Sequence, residues 1–140
     1  MNQPAADTRT FDTGDELPAI TKFITQEKIN RYAAVSGDLN PLHIHPDSAA
    51  RGQFGGTVAH GMLILAYVSE MMTAAFGGWW DGKLKVRFRA PARPGDTVST
   101  SGRVVRVEEK GGAKVTHCAI ECRGKAGEVL VSGTATVWRW

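Results

Sequence analysis

An α+β layer fold, with an antiparallel sheet wrapped around one long buried helix, is predicted by three features of the sequence. The run Met62-Leu63-Ile64-Leu65-Ala66-Tyr67-Val68, inside a segment from Gly61 to Phe76, is apolar on every side of a helix and must therefore be buried. Lys83-Leu84-Lys85-Val86-Arg87-Phe88-Arg89 alternates basic and apolar residues, the pattern of a strand with one wet and one buried face. Three further strand patterns follow, separated by the turn-rich Lys110-Gly111-Gly112 and Gly124-Lys125-Ala126-Gly127, and read as an antiparallel meander.

Taken in order, residues 1–10 are polar and contain proline, as expected of a loose arm, and residues 11–140 are expected to form one domain. Thr13-Gly14-Asp15 marks a turn before any regular element. Thr25 can N-cap a helix whose Ile29, Tyr32 and Ala33 share one face, with Glu27 complementing the dipole and Gly37 available as the stop. Asn40-Pro41 opposes helix and makes a turn, and Pro46 opens a short helix. Gly55-Gly56 precedes the central helix, which Glu70 interrupts and Gly77-Gly78 ends. That helix falls short of the roughly 20 apolar residues of a membrane span. Pro91 and Pro94-Gly95-Asp96 close the alternating strand. Strands are then expected at about 97–107, 113–122 and 129–138.

Composition narrows the function classes. With 140 residues, 42% hydrophobic and 22% charged, the chain is neither a disordered nor a collagenous sequence and can bury one core without staples. A net charge of +3 is too small to imply nucleic acid, and no recognition helix or aromatic-basic stacking motif is present. Cys118 and Cys122, four apart on one strand, would lie about 13 Å apart, beyond the roughly 7 Å of a disulfide. They read as core thiols in a reducing compartment, and the N-terminal residues show no signal peptide or anchor, so a cytoplasmic location is expected.

Polar chemistry concentrates in the turn between the first two helices. Asp38 and His43, five apart and pinned by Asn40-Pro41, can converge on one small space, where a carboxylate and an imidazole together activate water. The same residues would equally serve as a turn cap and a surface histidine. Gly61, opening the buried helix after His60, offers backbone N–H and the positive end of the dipole to a developing oxyanion, or is simply a helix-entry glycine.

The stretches from Tyr32 to His43 (YAAVSGDLNPLH) and from Val58 to Leu63 (VAHGML), with the later Val86-Arg87-Phe88-Arg89-Ala90-Pro91 and Pro94-Gly95-Asp96-Thr97, resemble the signature of the MaoC-like (R)-specific enoyl-CoA hydratases and 3-hydroxyacyl dehydratases. The resemblance covers nearly the whole chain from about Phe11. It implies a hot-dog fold, the sheet as bun and the 61–76 helix as filling, in homodimers whose sheets join. It further implies reversible syn addition of water to a trans-2-enoyl thioester, giving the (R)-3-hydroxyacyl thioester without metal or redox cofactor. Asp38 and His43 match the catalytic pair, and the Gly61 N–H matches the donor to the thioester carbonyl. Ser69, eight residues beyond Gly61, matches an active-site serine, with a helix serine bonded to its own backbone as the alternative. Asn40 orients the loop or is a plain turn residue. His45 stands where an acidic residue is common and could tune His43. His60 reads as structural.

Substrate contacts are less marked. Met62, Leu65, Met72 and Phe76 could line an acyl pocket or fill a core, and Lys85, Arg87 and Arg89 could meet CoA phosphates, an acidic acyl carrier protein or only solvent. Trp79, Trp80, Trp138 and Trp140 suit an interface rim or ordinary packing. The rival functions are a 3-hydroxyacyl-[acyl carrier protein] dehydratase running the reaction backwards, an acyl-CoA thioesterase on the same fold, and an acyl-binding subunit without chemistry.

Overall fold

A computed structural model describes residues 10–140; all of the expected arm at residues 1–10 except Thr10 lies outside them. The elements are β1 (Ile20–Phe23), α1 (Gln26–Ser36), α2 (Pro41–Ile44), α3 (Pro46–Ala50), α4 (Gly61–Phe76), β2 (Asp81–Phe88), β3 (Thr97–Lys110), β4 (Ala113–Arg123) and β5 (Val129–Arg139). They form an α+β fold in which one antiparallel sheet, ordered β1-β3-β4-β5-β2, lies against α4.

Local signals set the helix ends. Thr25 Oγ1 accepts from Lys28 N at 3.1 Å, and Gly37, at φ 78°, returns its N–H to Ala33 O at 2.9 Å. That φ lies in the left-handed region, which suits glycine. Pro41 and Pro46 each stand in the first turn of a short helix, where a missing N–H costs nothing.

Two expectations are corrected. The four later strands are not a simple meander: β3, β4 and β5 are, but β2 crosses to the far edge and pairs with β5, Val86 opposite Gly133. Alternation along a strand reports which face is buried and says nothing of the neighbouring strand. Nor is α4 enclosed all round in the single chain. Leu63, Ile64, Val68, Met71, Met72, Ala75 and Phe76 are buried, whereas Met62, Ala66, Thr73 and Ala74 are exposed, because one sheet covers one side of a helix. The short β1 carries no sequence signal that distinguished it from loop. It is placed by pairing with β3, Ile20 opposite Thr100.

One contiguous core draws on residues from Phe11 to Val137, including both cysteines. No helix among the described residues is long and apolar enough to cross a membrane. Cys118 and Cys122 are unpaired and face the core from β4. Burial pushes each thiol up to about 11 from an ordinary 9.0, because the thiolate loses its hydration. The stability these protonated thiols represent is complete below pH 9.0, where both states are protonated, and is lost as pH rises toward about 11 and only the unfolded chain ionises. The urea midpoint is therefore expected to fall across that window, and less steeply in a Cys118→Ala/Cys122→Ala variant. Equal slopes in the two proteins would contradict this.

Candidate active site

The turn between α1 and α2 is built by its own side chains. Asn40 caps α2, its Oδ1 accepting from Leu42 N at 3.1 Å, and its backbone N–H donates to Asp38 Oδ1 at 3.3 Å. His43 N–H donates to Asn40 O at 2.9 Å, so the turn of α2 swings the imidazole back toward Asp38. Tertiary bonds hold it there. Gln26 of α1 donates to His43 O at 2.7 Å while accepting from Thr57 Oγ1 at 2.7 Å, and Val58 N–H donates to Leu42 O at 3.1 Å.

His43 is buried and Asp38 is half exposed. His43 Nδ1–H donates to Val58 O at 2.7 Å, which leaves Nε2 as the lone-pair nitrogen of the neutral ring. That nitrogen lies 3.7 Å from Asp38 Oδ2, beyond direct hydrogen bonding and suited to a shared water. The ring stacked on His43, at 3.8 Å between centroids, is His60 and not His45. His45 is exposed and serves the ends of α2 and α3 with its backbone.

His43 and Gly61 both line a cavity of about 320 Å³, walled otherwise mainly by Leu42, Phe54, Val58, Ile64, Phe88 and Val131. Gly61 is the first residue of α4, so its N–H has no intrahelical acceptor. Its lack of a side chain also matters, since a Cβ there would sit 3.0 Å from the Phe88 ring. Arg89 joins the lining, its Nε donating to Ser132 Oγ at 2.6 Å.

The structure thus brings Asp38, His43 and Gly61 together, with Asn40 positioned as a turn cap rather than in the cavity. It does not bring the other expected residues there. Ser69 lies two turns along α4, about 12 Å from Gly61, on its half-exposed side. Met62 is exposed on the outer face, Leu65 packs against the core, and Met72 is wholly buried within it. Met62, Leu65 and Met72 are therefore not the walls of this cavity. Its apolar lining comes from α2, the loop after α3, the first turn of α4, the end of β2 and β5, and no periodicity in the sequence marks those residues as neighbours.

Asp38, His43 and His60 place ligand-type atoms within 4.8 Å of one another. His60, however, spends Nε2 on Asp38 O at 3.0 Å. The two rings lie 25° from parallel, so their in-plane lone pairs run side by side and do not converge on one ion. As a donor set they do not fit a resident metal.

The chain is similar to known proteins over most of its length. Residues 9–122 match the family described as MaoC like domain. Over 118 residues the chain is 33% identical to a 3-hydroxyacyl-thioester dehydratase from Mycobacterium tuberculosis, covering 78% of each protein. It is 33% identical over 125 residues to an (R)-specific enoyl-CoA hydratase from Rhodospirillum rubrum, covering 85% of this chain and 82% of the relative. The structure of an unliganded (R)-hydratase from Pseudomonas aeruginosa superposes with a TM-score of 0.82 at 29% identity, covering 91% of this chain and 81% of that one.

Proposed function

This chain belongs to the MaoC-like dehydratase family and is a hydro-lyase, and on that premise we propose that it is an (R)-specific enoyl-CoA hydratase. The observation that carries the proposal is the facing of His43 Nε2 and the Asp38 carboxylate, 3.7 Å apart, beside an apolar cavity that His43 shares with Gly61. A water held between the pair is aimed at the β-carbon of a trans-2-enoyl thioester. His43 Nε2 takes its proton as the oxygen bonds to C3, and the double-bond electrons pass to C2 and the thioester carbonyl. The enolate oxygen is stabilised by the Gly61 N–H and the N-terminal end of α4. The imidazolium, stabilised by the Asp38 charge, returns the proton to C2 on the same face, which makes the addition syn. The acyl chain occupies the cavity, and the Arg89 guanidinium at its wall suits the phosphates of CoA.

A homodimer completes this reading. Among the described residues the edge strand β2 has no partner on its outer side, and it carries exposed Phe88 and follows exposed Trp79 in the chain. An open edge flanked by large apolar residues is a surface that pairs. Two unpaired core thiols fit the cytoplasm. Acyl carrier protein as the carrier, with the reaction run as a dehydration, is the second reading, favoured by a relative from Arabidopsis thaliana, 30% identical over 117 residues, that is named a 3-hydroxyacyl-[acyl-carrier-protein] dehydratase.

The test is loss of enoyl absorbance on mixing with crotonyl-CoA and longer trans-2-enoyl-CoAs, with free thiol followed in parallel and the eluted mass checked in solution. Hydration without thiol release, an (R)-3-hydroxyacyl product and a dimer mass are expected. Thiol release would instead establish a thioesterase, and activity only on carrier-protein esters the dehydratase.

A further inference from the structure

His60 carries features that a packing residue does not need. It is 2% exposed and sits at the N-cap of α4, yet its side chain makes no capping bond there. Its Nε2–H crosses instead to the α1–α2 turn and donates to the carbonyl of Asp38 at 3.0 Å. The ring is sandwiched, stacked on His43 at 3.8 Å and in edge contact with Tyr32 at 4.9 Å. An Nε2–H that donates leaves Nδ1 as an acceptor in the neutral ring, and this atom is buried without a partner. A buried unsatisfied acceptor costs stability, and a phenyl ring of similar shape would fill the same slot without that cost.

From this geometry we propose that His60 is a positioning residue for the hydration chemistry: its Nε2–H clamps the Asp38 backbone so that the carboxylate faces His43. The inference rests on the functional reading given above. The turn has little else to hold Asp38. Its own N–H reaches only Ser36 Oγ, at 3.2 Å, and its carboxylate accepts a 3.3 Å bond from Asn40 N. The half-exposed carboxylate is thus aimed chiefly through the bond from buried His60. Displacing a reacting group by about 1 Å costs on the order of 10²-fold in rate.

Two variants separate the bond from the ring. His60→Phe keeps a stacked ring and loses the donor; His60→Gln keeps an amide N–H near the Nε2 position and loses the ring. We expect His60→Phe to melt no lower than the parent, to lose on the order of 10²-fold in kcat and to keep KM within about twofold, with His60→Gln regaining most of the rate. Parent-like kcat in His60→Phe, or a folded His60→Gln as slow as His60→Phe, would overturn the clamp. A readout that needs no substrate keeps the two proposals apart. Long-range proton–nitrogen NMR should show His60 as the Nε2–H tautomer, and His60→Phe should shift the Asp38 and Asn40 amide signals. An Nδ1–H tautomer, or unshifted amides, sinks the clamp even if hydration is confirmed. A parent protein inactive on every enoyl thioester, with the tautomer as expected, sinks the hydratase reading alone.

Discussion

Replacing His43 by Ala is expected to lower kcat/KM for a trans-2-enoyl thioester by about 10²–10⁴-fold, the range that a positioned acid–base group supplies. The imidazole is held on three sides, by Val58 O, by the His60 ring and by the turn of α2, and its remaining edge faces Asp38 at 3.7 Å. Asp38→Asn should lose activity on the same scale while leaving the fold intact, because the carboxylate is half exposed and its backbone carbonyl, not its charge, makes the buried contact. The two losses should not add in the double variant if the pair acts as one unit. Rates for both single variants, with circular dichroism as the check on folding, decide the matter. A His43→Ala protein within tenfold of the parent would rule the imidazole out as proton carrier.

Met72→Ala is the second large effect, and it separates the two readings the sequence left open for that residue. Met72 is fully buried within the core cluster that α4 shares with the sheet, and it does not line the cavity beside His43. Truncation should therefore cost about 2–5 kcal/mol of unfolding free energy, the transfer term plus the cavity left behind. The chain-length profile of the remaining activity should stay as in the parent. Urea denaturation, paired with rates on short and long enoyl esters, is the measurement. A shift toward longer acyl chains with little change in stability would place Met72 at the substrate after all.

Much of this protein was legible in its sequence because the relevant physics is local. The Thr25 cap and the Gly37 stop depend on residues within a few positions and stand as expected, whereas Asn40-Pro41, expected as a turn that opposes helix, instead caps and opens the one-turn helix α2. The burial of α4 against a sheet followed from an apolar run, and the convergence of Asp38 and His43 from a five-residue turn stiffened by proline. Tertiary structure decided what depends on distant segments. Strand β2 pairs with β5 because an alternating pattern fixes a buried face but no partner. The cavity walls come from Phe54, Phe88 and Val131, apolar residues with nothing in their own neighbourhoods to mark them as lining. His60 shows the same division most sharply. Its place before Gly61 reads as helix entry, and only the fold carries the Asp38 turn, 22 residues earlier, to within 3.0 Å of its ring nitrogen. A hydrogen bond and a ring stack depend on contact geometry, and contact between residues far apart in the chain is set by packing of the whole core.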